Sequence, residues 1–332
     1  MTDEDCVALL PLLRLISDGE IHSGVDLAHR LSVSRAAVCK RIKKLAGFGL
    51  RVTAIRARGY QLNAPLELLD PDRITAALSA DLPGPLPTVE VLPTVGSTNS
   101  ALLQWTRSGR VTSGFVLLAE RQTAGRGRRG RMWASPFGRN LYLSVLWRFE
   151  AGPPALEGLS LVVGVVVAQT LCSRLGIAAS LKWPNDILVQ SRKLGGILIE
   201  VDGDLAGPLS VVIGIGINLD MTGATTEDID QAWTDTCSES PAPVSRNDLA
   251  AQLIAGLSQA LERFAVVGFK EFREQWCLLD AFKGRSVKVF RQGSDALTGI
   301  ARGVNDTGAL LLETSGAVQA ISAGDISLRS AP

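Results

Sequence analysis

The chain has 332 residues, 34 Lys and Arg against 33 Asp and Glu, a formal net charge of +1 and a 46% hydrophobic content. That much apolar material excludes a disordered chain, and the length points to two or three domains. Two histidines, His22 and His29, exclude a multi-histidine metal site. Cys6, Cys39, Cys172, Cys237 and Cys277 are scattered and form no C-x-x-C, which argues against a zinc ribbon or a disulfide framework. No signal peptide opens the chain, and the most apolar run, 159–171, reads as too short to span a bilayer. A soluble, cytoplasmic protein is expected.

The charge is unevenly spread. Residues 1–63 carry a net +4 and residues 64–332 a net −3; between Asp26 and Glu67 there are nine Lys and Arg and no acid. Residues 6–16 read as an apolar helix whose start Pro11 trims. A second helix follows Ser23, and Ser34 caps a third that places Val38, Ile42 and Leu45 on one face. The segment 50–62 alternates apolar and polar residues around the basic tip Arg56-Ala57-Arg58-Gly59. Helix, turn, basic helix and basic hairpin describe a winged helix-turn-helix. The expected DNA-binding residues are Ser34, Arg35, Lys40, Arg41 and Lys43 on the helix and Arg56 and Arg58 on the wing. A winged helix serving only protein contacts is the bland alternative, and it has no need of an acid-free run on both DNA-facing elements.

Prolines 65, 71, 83, 85, 87 and 93 frame a polar helix at 70–80 and mark a linker. From about 89 to 270 strands and helices mix, with helices expected at 97–108, 159–175 and 248–265. From about 282 short strands punctuated by QGSD, NDTG, TSG and SAG predict a small all-β barrel.

The chemistry concentrates in four places. Gly125-Arg126-Gly127-Arg128-Arg129-Gly130-Arg131 matches G-x-G-x-x-G, but no helix follows to receive a pyrophosphate, so it is not a dinucleotide fingerprint. Six arginines and no acid over 121–139 suit instead a loop closing over phosphate oxygens, or a second nucleic-acid patch. Lys182-Trp183-Pro184-Asn185-Asp186, followed by Lys193-Leu194-Gly195-Gly196, suits a polar rim with close backbone approach to a ligand; a tight hairpin with a surface lysine is the bland reading. Gly214-Ile215-Gly216-Ile217-Asn218 follows the same logic. Gly96-Ser97-Thr98-Asn99 is a helix cap, or a set of neutral hydrogen-bonding groups for a small polar ligand.

In this order these motifs resemble those of the biotin protein ligases. With the winged helix in front, the whole chain is similar to the bifunctional biotin protein ligase/biotin-operon repressors. The resemblance implies an α+β multidomain protein: a winged helix-turn-helix at 1–65, a mixed-sheet, class II synthetase-like ligase domain at 66–280, and a small SH3-like β-barrel at 281–332. It implies ATP- and Mg²⁺-dependent activation of biotin to biotinyl-5′-AMP. Transfer to a lysine of the biotin carboxyl carrier protein of acetyl-CoA carboxylase, and of other biotin-dependent carboxylases, would follow. An adenylate-induced homodimer would bind operator DNA, with no membrane involved. Ser97, Thr98, Asn99, Gln122, Arg126, Gly127, Arg128 and Lys193 would hold biotin. Arg126, Arg128, Arg131, Asn185 and Asn218 would hold ATP or the adenylate. Arg128, Arg131, Lys193 and Asp186 would be catalytic, and no resident metal is implied. Gly195 stands where a slightly larger residue is usual. A biotin sensor without ligase activity and a lipoate-protein ligase-like enzyme are the alternatives; Ser97, Thr98 and Gln122 favour a ureido ligand over lipoate.

Overall fold

The structure is a computed structural model of the chain and describes residues 3–82, 84–150, 152–203, 207–222, 224, 229–291, 296–322 and 326–330. The N-terminal unit comprises α1 (Asp3–Ile16), β1 (Ile21–His22), α2 (Gly24–Arg30), α3 (Arg35–Lys44), β2 (Val52–Ile55) and β3 (Gly59–Leu62). Two serine caps set its helices: Ser23 Oγ accepts from Val25 N and Ser34 Oγ from Ala37 N. Val38, Ile42 and Leu45, spaced by helical turns, bury against Leu9, Leu12, Leu13, Ile16 and Leu27. The strands form an antiparallel sheet in the order β1-β3-β2. Gly59 (φ +144°) closes the wing, and a Cβ there would collide with the His22 carbonyl. Pro11 does not trim α1 but lies within it. The missing i→i−4 hydrogen bond is tolerated because Leu9, Leu12, Leu13 and Ile16 of the same helix are buried in the N-terminal core.

The linker is clamped. Arg246, nearly inaccessible, donates to Glu120 Oε2 and the Glu67 carbonyl, both at 2.7 Å, and to the Asn140 carbonyl at 2.8 Å. Glu120 Oε1 in turn accepts from Leu69 N at 2.6 Å. The helix α4 (Pro71–Asp81) then starts on an Asp70 cap with proline in its first turn.

The central unit adds β4 (Val89–Leu92), α5 (Thr98–Arg107), β5 (Val116–Ala119), β6 (Leu141–Phe149), α6 (Leu159–Leu175), β7 (Ser180–Lys182) and β8 (Asp186–Val189). It continues through β9 (Arg192–Gly203), β10 (Leu209–Ile217), α7 (Thr236–Glu239), α8 (Arg246–Val267) and α9 (Arg273–Leu279). Its seven-stranded sheet runs β4-β5-β6-β10-β9-β8-β7 and is mixed, β4–β5 being parallel and the other ladders antiparallel. Strand alternation divides the two faces. Val211, Ile213, Ile215 and Ile217 of β10 enter the main core with α6 and α8, whereas Val212 joins Leu102, Leu117 and Leu146 beneath α5. Gly214 and Gly216 continue the α5 face without side chains, and that leaves room for a site.

With the short turn before it, α6 forms an apolar stretch of 23 residues (Pro153–Leu175), so the expectation that this run is too short to span a bilayer is corrected. In the fold it is the core helix, with Leu161, Val162, Val163, Val165, Val167 and Ala168 packed into the main apolar cluster.

The C-terminal unit is a five-stranded antiparallel sheet in the order β14-β13-β12-β11-β15. Its strands are β11 (Ser286–Arg291), β12 (Leu297–Val304), β13 (Leu310–Thr314), β14 (Ala317–Ile321) and β15 (Ile326–Ser330). Val287, Val289, Ala301, Val304 and Leu310 share the main core, and Trp183 Nε1 donates to the Gly308 carbonyl at 3.0 Å. This sheet is therefore docked beside the cavity described next.

Candidate active site

A cavity of about 750 Å³ opens on the α5 face of the central sheet. Ser97, Thr98, Asn99, Gln122, Arg126, Gly127, Arg128, Arg131, Asn185, Asp186, Lys193 and Asn218 all line it. Segments more than 120 residues apart in sequence thus meet in one place.

One end is neutral and polar. Ser97 caps α5, its hydroxyl accepting from Ser100 N. Gln122 Oε1 accepts from Thr98 N at 2.9 Å, and the chain after β5 is tied to the 95–96 segment by Thr123 N→Val95 O and Ala124 N→Gly96 O. Ser144, buried in the middle of β6, lies 2.7 Å from Thr98 Oγ1 and donates to Asn99 Oδ1 at 2.6 Å. A Cβ at Gly214 would strike the Asn99 amide, so glycine is required beneath it.

The other end is cationic. Arg128, Arg129, Arg131, Lys182, Lys193 and Arg285 line the cavity there, and among its described lining residues the carboxylates are Asp186 and Asp230. Such an excess of fixed positive charge suits a polyanion. Arg128 Nη1 donates to Asn185 Oδ1 at 3.3 Å, and Asn185 Nδ2 donates to the Ile197 carbonyl at 2.9 Å. Arg129 Nη2 donates to the Phe290 carbonyl of β11, and Arg126 Nη2 to Ser100 Oγ and Glu200. Polar contacts rather than apolar burial hold the arginine loop. The Arg131–Asp230 pair is longer, 3.7 Å, and exposed, and such pairs contribute little.

Asp186 joins the two lysines. Lys193 Nζ lies 2.7 Å from its Oδ1 and Lys182 Nζ 3.0 Å from its Oδ2. Burial opposes ionisation of this carboxyl, but the charges of Lys193 and Lys182 outweigh it and hold the pKa below the ordinary value. The K-W-P-N-D segment is the turn of the β7–β8 hairpin, with a cis Trp183–Pro184 bond. Of the two glycines after Lys193, only Gly196 lines the cavity. Gly195 faces inward, where a Cβ would sit 2.8 Å from the Gly216 carbonyl, so its small size serves strand packing rather than ligand approach.

Between the two ends the wall is apolar, with Trp133, Leu143, Trp183, Ile197, Leu198 and Ile215. Trp133 was not among the residues expected from sequence, although it follows the arginine loop directly. Its indole lies over Gly216, where a Cβ would come within 2.6 Å of the ring, and Lys193 Nζ stands 5.5 Å from the ring centroid. Ser144 and Glu200 were missed too; Ser144 is signalled by a hydroxyl among the apolar residues of β6, and Glu200 by a carboxylate after the apolar run of β9.

Among the described residues no group of three or more His, Cys, Asp or Glu side chains is placed to hold a metal ion. Both Asp186 oxygens are already taken by lysines.

On the N-terminal unit, Arg35, Arg56 and Arg58 line one groove between α3 and the wing, with Cys39 and Tyr60. Ser34, Arg35, Lys40, Lys43, Arg56 and Arg58 are exposed, while Arg41 is half-buried on the flank of α3.

Comparison with known proteins matches each unit. Residues 91–218 match the Biotin/lipoate A/B protein ligase family, residues 283–329 the Biotin protein ligase C terminal domain, and residues 10–61 an HTH domain. The chain is 44% identical over 328 residues to the bifunctional ligase/repressor BirA of Salmonella typhimurium and 43% identical to that of Escherichia coli, covering 99% of each chain in both cases. Among solved structures, the biotin protein ligase of Aquifex aeolicus in complex with biotin and ATP superposes with a TM-score of 0.64 at 32% identity. That match covers 73% of this chain and 99% of the other.

Proposed function

This chain belongs to the family of bifunctional biotin protein ligase/repressors, and we propose how its residues divide that work. It is an ATP-dependent biotin–protein ligase with a DNA-binding repressor domain. The work divides as 1–65 for DNA, 66–280 for catalysis and 281–332 as the sheet that flanks the cavity. The single observation that carries the site assignment is the cavity's polarity: a neutral hydrogen-bonding end, an apolar wall and a cationic end. Biotin has the matching order of ureido ring, alkyl chain and carboxylate, and the cationic end receives the phosphates.

Ser97, Thr98, Asn99 and Gln122 take the ureido ring. Arg126, Gly127, Arg128 and Lys193 close over the chain and the carboxylate. The carboxylate oxygen attacks the α-phosphorus of ATP and pyrophosphate leaves, giving biotinyl-5′-AMP. Arg128, Arg131 and Lys193 offset the charge that builds on the phosphoryl oxygens, each well-placed donor contributing about 3 kcal/mol. Asn185 and Asn218 line the nucleotide end, where the flat face of Trp133 over Gly216 offers a surface on which adenine can stack, and Arg126 reaches the adenylate from the Ser100 side. The acceptor lysine, its ammonium proton given up to solvent, attacks the acyl carbon as the free amine; the acyl–oxygen bond to the phosphate breaks, AMP leaves, and the second amine proton passes to solvent as the amide forms. Asp186 attracts the incoming ammonium; held ionised by two lysines, it acts by charge and position and is a poor proton acceptor. No covalent enzyme intermediate is needed, so positioning supplies most of the acceleration.

The acceptor is the biotin carboxyl carrier protein of acetyl-CoA carboxylase and its counterparts in other biotin-dependent carboxylases. The adenylate-bound form dimerises and places two copies of α3 on a palindromic operator, so adenylate, dimer and DNA affinities are reciprocally linked. The protein works in the cytoplasm, where its acceptors and operator are.

The test is transfer of labelled biotin to a carrier domain with ATP and Mg²⁺, run beside Arg128→Ala and Lys193→Ala. Label on the carrier lysine, lost or greatly slowed in both variants, is expected. Biotin binding without transfer would mean a sensor on a ligase scaffold, and labelling with lipoate in preference to biotin would mean the related ligase.

A further inference from the structure

Glu200 is not among the cavity-lining residues, yet both of its oxygens are committed to residues that are. It stands on β9 opposite Val212 of β10, inside the sheet, so the backbone ladder fixes its position. Its Oε2 accepts from Asn99 Nδ2 at 2.9 Å and its Oε1 from Arg126 Nη2 at 3.2 Å. One carboxylate thus ties β9 to the start of α5 and to the arginine loop.

The consequence is a direction imposed on a buried hydrogen-bond chain. A carboxylate accepts only, so the Asn99 amide must turn its NH₂ toward Glu200 and the Leu198 carbonyl, and its oxygen toward Ser144. Ser144 has a single hydroxyl proton and gives it to Asn99 Oδ1. The neighbouring Thr98 hydroxyl, 2.7 Å away, then donates to Ser144 Oγ. Thr98 Oγ1 is left with lone pairs and no proton for the cavity. Gln122 Oε1 accepts from Thr98 N at 2.9 Å and lies 3.2 Å from Thr98 Oγ1, so the Gln122 amide has its NH₂ left as a donor beside the Thr98 acceptor.

We propose that Glu200 is a positioning residue for biotin recognition. By orienting Asn99 and, through Ser144, Thr98, it makes the Thr98 hydroxyl an acceptor for a ring N–H, and it holds Arg126 beside the same end. This rests on the biotin reading above and adds the residue that sets the polarity of the ureido subsite. The Arg126–Glu200 pair is half-exposed, so its part is geometric; the Asn99–Glu200 bond reaches a buried amide, Asn99 being 3% exposed.

The test is biotin-dependent pyrophosphate release by the full chain and by Glu200→Gln. Glutamine keeps the shape but has one acceptor and one donor in place of two acceptors. A second ligand, a biotin analogue with one ring N–H replaced by oxygen, reads the polarity directly. Glu200→Gln is expected to raise the biotin KM about tenfold or more, with the ATP KM within about twofold of wild type. The preference for biotin over the oxygen analogue should also shrink, while the unfolding midpoint stays close to that of wild type. An unchanged biotin KM, a parallel rise in both KM values, or an undiminished preference would overturn the proposal while leaving the ligase reading intact. No biotin-dependent release by the wild-type chain would overturn the ligase reading, and this one with it.

Discussion

Phe48 of the DNA-binding unit packs against Phe137 of the ligase unit, ring centroids 4.6 Å apart and planes tilted by 55°. Phe137 belongs to the N-terminal apolar core although it lies at the end of the arginine-rich stretch, and Gly138 (φ +68°) turns the chain against Leu66. Arg121 Nη1 adds a hydrogen bond to the Gly47 carbonyl. The two units are therefore joined by core packing as well as by the linker. Phe137→Ala should destabilise the N-terminal unit by about 3–5 kcal/mol and split calorimetric unfolding into two transitions. A single transition at the wild-type temperature would contradict this.

The Asp186 pair of ion bridges makes a prediction about acid. The carboxyl's folded pKa lies below its unfolded value of about 3.9, so its contribution is fully present above that pH and is lost as pH falls through the folded pKa. Asp186→Asn leaves two ammonium groups without their counter-charge and should cost about 3–5 kcal/mol at pH 7. Its stability should also fall less steeply than that of wild type below about pH 4. Urea unfolding at pH 7 and at pH 3–4 measures both; equal acid slopes would show that Asp186 is not the group responsible.

Gly216→Val tests the wall of the cavity. Even the first carbon of the new side chain would fall 2.6 Å from the Trp133 indole, which must move. Since Gly216 faces the cavity rather than the main core, the fold should persist while kcat/KM falls by about a hundredfold, the scale of an ångström's misplacement. Steady-state kinetics with both substrates, alongside an unfolding curve, separates the two effects; a variant with wild-type kinetics would remove Trp133 from the site.

On the winged helix, Arg56→Ala and Arg58→Ala should each weaken binding to all DNA sequences and reduce the salt slope of binding by about 1. Arg35→Ala, at the start of α3, should instead relax discrimination at one base position by about 1–3 kcal/mol. Titrations with operator and scrambled duplexes over a range of salt, with biotinyl-AMP present, distinguish the two kinds of loss. Equal losses on both duplexes for Arg35→Ala would place that side chain on a phosphate.

What could be read from the sequence alone is what short-range physics controls. The caps at Ser23, Ser34 and Ser97, the apolar spacing of α3 and α8, and the alternation in the β2–β3 hairpin each depend on residues a few positions apart. The order of the arginine loop, K-W-P-N-D and G-I-G-I-N carries the family, and residues of all three motifs line the one cavity. The partners of these residues were not legible. Asn99 meets Glu200 across 101 positions and Arg246 meets Glu120 across 126, and no local pattern encodes such pairs. The same holds for Pro11, tolerated inside α1 because neighbouring helices bury its surroundings, and for α6, whose apolar length suits a membrane equally well until the sheet and α8 enclose it. Sheet register decided which face carried Gly214 and Gly216, and thereby where the cavity lies. Local energies select the elements; only the packing of distant segments, each burying the other's apolar surface and satisfying the other's polar groups, turns them into a site.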